Sequence, residues 1–216
     1  MVPRRPRRTR RENLGTHNHG LTIQMSVEKT IWPGSTQLAP VPAVLVGTGD
    51  GRRLPWNLMT AAWAGTLCSE PPMVGIGVRP SRFTYSLLET LQAFTVNLPT
   101  ADQAETVDYC GVASGRDTDK FAARKLTPRA ASQVTAPIVE ECPLALECRV
   151  RQKLELGSHV LYIGEVVAVQ VTSSLIDEKG RLDLQKANLL AYAHGHYYSL
   201  GQELGHFGFS VRKSRA

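Results

Sequence analysis

Short apolar blocks bounded by Gly, Pro, Asn or Asp recur along the chain. Most follow the two-residue period of a half-buried strand rather than the 3.6-residue period of a helix. After the Pro-rich "LAPVPAVLV", residues 44–47 predict a short buried strand. Gly49-Asp50-Gly51 is a turn signal, and residues 57–66 predict a returning strand. "PMVGIGVR" predicts a third, whose glycines suggest close approach by another backbone or a ligand. Ser81 is placed to cap a short helix, "RFTYSLLETL", and "AFTVNLP" predicts a fourth strand. Helical pieces over 101–109 and 117–125 flank the loop "CGVASGRD". The second half is more plainly β: "LALECRVRQKLEL" and "HVLYIGEVVAVQVT" alternate at length, join at Gly157-Ser158, and lead to a turn at "DEKGRLD".

Several antiparallel strands with few long helices predict a mainly β chain of the α+β kind, a barrel rather than a doubly wound parallel sheet. Gly75-x-Gly77 lacks the third glycine of a dinucleotide fingerprint, which sets the Rossmann fold aside. At 216 residues and 42% apolar composition, one well-cored domain is expected. No apolar run approaches the roughly 20 residues of a spanning helix, so a soluble, cytoplasmic protein with no membrane partner is expected.

The formal charge of +6 changes this picture less than its size suggests. Six of the 25 basic residues (Arg4, Arg5, Arg7, Arg8, Arg10 and Arg11) and one of the 19 acidic ones, Glu12, lie in residues 1–24. That leaves 19 against 18 in residues 25–216, the span expected to form the folded domain. The basic signal therefore belongs to a tail, expected to be disordered, and not to a folded nucleic-acid face. The tail has no apolar core of a secretory signal, and Met25 begins more ordinary sequence, as an upstream misread start would give. A nucleic-acid or targeting arm is the alternative. Cys68, Cys110, Cys142 and Cys148 form no C-x-x-C pair and no His/Cys cluster, and are expected as small apolar side chains in a reducing compartment. Cys110, in "VDYCGVASGRD", could also lie near a redox site.

Two segments could hold an anion. In Pro80-Ser81-Arg82-Phe83-Thr84, a helix start offers free amides, with Arg82 adding a forked cation and Ser81 and Thr84 adding hydroxyls. "SGRDTDKF" supplies Ser114, Arg116 and Lys120. Each alone fits an ordinary capped surface helix; together they could converge on one anion. Trp63 could shield a planar ring or fill the core, and His159 could contact a ring or be structural. No Ser-His-Asp order, H-E-x-x-H or carboxylate pair stands out, which argues against hydrolytic and zinc chemistry.

The stretches "PVPAVLVGT", "NLMTAAWAGTLCSEPPMVGIGVRPSRFTYSLL", "FTVNLPT", "VDYCGVASGRDTDKF", "CPLALECRV", "LGSHVLYIGEVVAV" and "LAYAHGHYYSLGQELGHFGFS" resemble the flavin reductase-like, FMN-binding split-barrel family, in its flavoredoxin-like branch. The resemblance runs from about Pro40 onward and excludes the tail. It implies a six-stranded antiparallel split β-barrel with Greek-key character and peripheral helices, and a homodimer with FMN near the subunit interface. It further implies that Asn57, Trp63, Thr84, Lys120 and His159 contact FMN. The backbone at Met59, Thr60 and Ala61 would run beside the ring, Ser81, Arg82 and Thr84 would approach the phosphate, and Tyr192 would lie near the flavin. Leu58 stands where the branch commonly has Ala, which is tolerable if its side chain points away from the ring. The implied activity is NAD(P)H-dependent flavin reduction, or electron transfer to a protein partner without NAD(P)H oxidation. The flavin performs the redox chemistry, so no catalytic residue beyond it is required, with His159 the one candidate.

Overall fold

A computed structural model describes residues 28–211; the expectations for residues 1–24 lie outside that span. Residues 28–36 belong to a separate unit and form no helix or strand, and everything below concerns the unit that begins at Gln37.

Among the described residues of this unit, twelve strands and three α-helices follow one another. The strands are β1 (Val41–Pro42), β2 (Val44–Thr48), β3 (Asn57–Ala61), β4 (Ala64–Ser69), β5 (Pro72–Val78) and β6 (Ala93–Leu98), then β7 (Pro128–Ala130), β8 (Pro137–Val139), β9 (Leu144–Glu155), β10 (Val160–Val171), β11 (Leu190–Ala193) and β12 (His196–Ser199). The helices are α1 (Phe83–Leu91), α2 (Ala104–Val112) and α3 (Lys120–Arg124). The main sheet has seven strands in the order β3-β2-β6-β9-β10-β5-β4, all pairs antiparallel. Strands β1, β11 and β12 form a second sheet, and β7 and β8 a short hairpin.

The edge strands β3 and β4 are consecutive in the chain, with only Ala62 and Trp63 between them. Three Cα–Cα steps of about 3.8 Å span at most ~11 Å, so the two edges of the sheet must come together. The sheet is therefore curled into a split barrel, and Trp63 sits at the split. Gly77 N donates to Trp63 O at 2.7 Å, which carries the β4–β5 ladder one residue into the corner. The resemblance implied six strands and the main sheet has seven, because the single strand expected over 57–66 is two strands broken at this corner. The short strands β1, β7, β8, β11 and β12 were not anticipated from the pattern.

Alternation sorts the side chains onto two faces. Val44, Val46, Met59, Val74, Ile76, Phe94 and Tyr162 share the barrel core, joined by Leu88 of α1. On the opposite face Leu45 and Leu58 pack with Val107 and Cys110 of α2 and Phe121 of α3. Leu58 is thus committed to the second core, on the face opposite Met59. All four cysteines are free, three of them buried. Among the described residues, no helix is long and apolar enough to cross a membrane.

Candidate functional site

Two cavities adjoin where β3 passes the start of α1, and Met59 and Arg82 line both. The first, about 270 Å³, runs along the seam of the barrel. Met59, Thr60 and Ala61 of β3 line it together with Trp63, Gly77 and His159, and Tyr192 and Tyr197 of the second sheet reach it as well. A side chain at Gly77 would place its Cβ 3.1 Å from the Cβ of Trp63, so the glycine lets the indole lie close. Trp63 is 45% exposed and stacks on His159, with centroids 6.4 Å apart and planes 24° apart. It is a wall residue and not a core one. His159 Nδ1 lies 2.9 Å from Ser158 Oγ. Burial, and then the Arg79 cation, hold the imidazole below its ordinary pKa, which favours the neutral ring.

The second cavity is smaller, about 120 Å³, and entirely different in chemistry. Ser81, Arg82 and Thr84 reach it from the start of α1; Ser114, Arg116 and Lys120 reach it from the loop and helix that follow α2. The two anion-binding candidates read from the sequence therefore line one space. One detail differs from expectation: the residue at the N-cap of α1 is Arg82, and no side chain caps the helix. Ser81 lies one residue too early, and its carbonyl accepts from Arg116 Nη1 at 3.0 Å. The amides of the first turn are left without a side-chain acceptor, as an anion at this helix start requires. Arg116 also lies over the Phe83 ring, and Ser114 Oγ accepts from Arg116 N.

Two buried polar groups at this cavity are incompletely satisfied. Asn57 is 4% exposed and donates from Nδ2 to Thr84 Oγ1 at 2.9 Å, while its Oδ1 has no partner among the described residues. Gly115 makes room for that oxygen, since a Cβ there would fall 1.9 Å from it. Lys120 is 5% exposed and donates to Cys110 O at 2.7 Å, one acceptor for an ammonium with three N–H groups. Burial lowers its pKa to about 8, with Cys110 opposing the shift and the Arg82 cation adding to it. Burial raises the Cys110 thiol, which keeps it protonated beside the cavity. Thr60, expected beside a ring, spends its hydroxyl on Val107 O and anchors α2 to β3.

Sequence reasoning missed Tyr197 and Gly115. Tyr197 packs edge-on against Tyr192, with centroids 5.5 Å apart, and donates to Asp108 Oδ1 at 3.2 Å. Burial and the Asp108 carboxylate push its pKa up to about 12. No local motif marks it, because its place depends on the pairing of β11 with β12.

Fold and site define a split β-barrel with a bipartite slot, one part flat-walled and the other cationic. Over residues 36–201 the chain matches the family described as flavin reductase like domain, and it belongs to the flavin reductase-like family. Its fold matches that of flavoredoxin of Desulfovibrio vulgaris (Miyazaki F), with a TM-score of 0.80 at 34% identity over 86% of this chain and 100% of that one. It also matches the FMN-binding protein from Thermus thermophilus with bound 1-cyclohex-2-enone, with a TM-score of 0.69 at 30% identity over 83% and 97%. A relative in Rhodococcus opacus, the reductase component of 4-nitrophenol 4-monooxygenase/4-nitrocatechol 2-monooxygenase, is 30% identical over 105 residues, 49% of this chain and 53% of that one.

Proposed function

We propose that the protein is an FMN-binding flavoprotein oxidoreductase, an NAD(P)H-dependent flavin reductase acting in the cytoplasm as a homodimer formed by residues 25–216. The observation that carries this is the junction of the two cavities at Met59 and Arg82. FMN has a flat ring at one end and a dianionic phosphate at the other, and the slot has a matching polarity. The unpartnered Asn57 Oδ1 and the under-used Lys120 ammonium are polar groups that the described residues leave unsatisfied. Buried groups of that kind are rare unless a ligand completes them.

Bound in this slot, the flavin would supply hydride and single-electron transfer. The chain's own residues hold and shield it. Arg82, Arg116, Lys120 and the first-turn amides of α1 bind the phosphate, with Ser81, Thr84 and Ser114 supplying hydroxyls. Trp63, Met59 and the backbone of Thr60 and Ala61 flank the ring; His159 and Tyr192 border it. A neutral His159 can donate one hydrogen bond to a ring carbonyl without placing a full charge beside it.

A second reading, a carrier passing electrons to an acceptor protein without NAD(P)H oxidation, draws support from the likeness to flavoredoxin. Anaerobic mixing with NADH and with NADPH separates the two. Rapid bleaching of the flavin supports the reductase. An inert but dithionite-reducible flavin supports the carrier, and failure to retain or bind any flavin rejects both. Sedimentation of the same sample tests the dimer.

A further inference from the structure

Helix α1 brings its start to the cationic cavity, so the placing of this helix decides where Arg82, Thr84 and the uncapped first-turn amides stand. Leu87 and Leu88 hold it down by apolar burial. Apolar contact is non-directional: it fastens a helix to a surface without fixing its rotation or its slide along its own axis. Hydrogen bonds at both ends fix these. At the start, Thr84 Oγ1 accepts from Asn57 Nδ2 at 2.9 Å. Toward the far end, Glu89 lies about 10 Å along the axis from Arg82. Its Oε1 accepts from the Tyr162 hydroxyl at 2.7 Å, and its Oε2 from Lys153 Nζ at 2.7 Å. Tyr85, one turn before Glu89, meets the Tyr162 ring edge-on with centroids 6.1 Å apart.

Two features of this cluster are not required by packing. A carboxylate in the last turn of a helix faces the negative end of the dipole, and α1 has no basic residue there to offset it. Tyr162 is fully buried in the barrel core, where a phenylalanine ring would fill the space; what tyrosine adds is a hydroxyl directed at α1. Lys153, and then that hydroxyl, hold the Glu89 carboxyl below its ordinary range, so the acceptor is charged. We infer that Tyr162 and Glu89 are positioning residues for the phosphate end of the slot. Their hydrogen bond sets the register of α1 on the barrel, and through it the preference for the phosphorylated flavin over riboflavin. The inference rests on the flavin reading above, and it concerns two residues that line neither cavity.

Calorimetric titration of the full chain with FMN and with riboflavin tests it, beside thermal melts of the flavin-free protein. The variants are Tyr162→Phe, Glu89→Ala, Glu89→Gln and the Tyr162→Phe/Glu89→Ala double variant. Tyr162→Phe and Glu89→Ala are each expected to weaken FMN about fivefold and to leave riboflavin within about twofold. The double variant is expected to lose no more than either single one, because both break the same contact. Glu89→Gln keeps an oxygen for the Tyr162 hydroxyl and is expected to recover most of the FMN affinity that Glu89→Ala loses. A bond that serves stability alone gives a different result: a lower melting temperature at the wild-type ratio of FMN to riboflavin affinity. That ratio, unmoved in Tyr162→Phe and in Glu89→Ala, overturns the positioning role and leaves the FMN site standing. Absence of FMN binding in the wild type overturns the flavin reading and this inference with it.

Discussion

Glu147 and the pair Asn57 and Lys120 are all polar groups enclosed by this fold, yet they are treated in opposite ways. Glu147, on β9, is fully buried and accepts four hydrogen bonds: from Ser132 N and Oγ at 2.9 Å, Gln133 N at 2.6 Å and Gln170 Nε2 at 2.7 Å. Burial would raise its pKa, but these donors outweigh it and hold the carboxyl below its ordinary value. Everything Glu147 needs is supplied by the chain, so it serves to fasten residues 132–133 to the sheet. Asn57 keeps an oxygen without a donor, and Lys120 has one acceptor. An unmet buried polar atom costs about 1–3 kcal/mol, and a fold carries that cost most readily where a ligand later removes it. The difference separates a structural polar group from a recognition one by a count of partners.

Breaking the structural member should give the largest effect. Glu147→Ala leaves two loop amides and Gln170 without an acceptor and is expected to lower unfolding stability by about 3 kcal/mol, read by urea denaturation. FMN affinity of the folded fraction should not change. Because its folded pKa is depressed, the stability Glu147 contributes is present above the ordinary glutamate range. It is lost as pH falls through the lowered value.

Breaking the recognition member should do the reverse. Lys120→Met is expected to weaken FMN by roughly ten- to a hundredfold while riboflavin, which lacks the phosphate, binds as before. Arg82→Ala should behave alike, and Arg82→Lys should recover only part of the loss, since an ammonium lacks the guanidinium fork. Equal losses for both ligands would return these residues to the role of an ordinary helix start.

A smaller effect is expected from Gly115→Ala. The added methyl would meet Asn57 Oδ1 and push the amide away from Thr84, lowering FMN affinity by about tenfold with circular dichroism unchanged. The pH dependence is gentler still. Only the charged form of Lys120 attracts phosphate, and an anion beside it raises its pKa; FMN affinity is therefore greatest below about 8 and falls as pH rises through that value. The fall should be absent with riboflavin and in Lys120→Met. Least costly is Trp63→Ala: the indole is nearly half exposed, so thermal stability of the flavin-free protein should hold while FMN and riboflavin both weaken a few-fold.

These contrasts mark what a sequence can carry. Apolar runs bounded by turn residues placed β2 and β6, which are buried almost throughout, and alternation placed β5, β9 and β10 closely. Alternation could not locate the corner at Ala62-Trp63, since small and aromatic residues continue the pattern through a backbone break that only closure of the sheet demands. Residue types suited to a phosphate were visible in two separate segments, and the structure brings them to one cavity. Which member caps the helix was not visible: Ser81 is the better capping residue by type, but the chain enters α1 one residue later, at Arg82. Tyr197 carries no local signal at all, since the β11–β12 hairpin delivers it to the cavity from far along the chain.

The two-residue corner between β3 and β4 has a mechanical consequence. A closed hoop resists deformation all round, whereas a split one yields first at its gap, and here the gap is spanned by the two residues Ala62 and Trp63. Met59 stands on one lip and Gly77 on the other, and the flat-walled cavity lies between them. A molecule lodged there works as a wedge that also pins: it fills the gap and ties both lips at once. Amide protons along β3 and β4 should therefore be the part of the barrel whose exchange with solvent slows most when the slot is filled, while those of β6 and β9, on the far side of the hoop, scarcely notice.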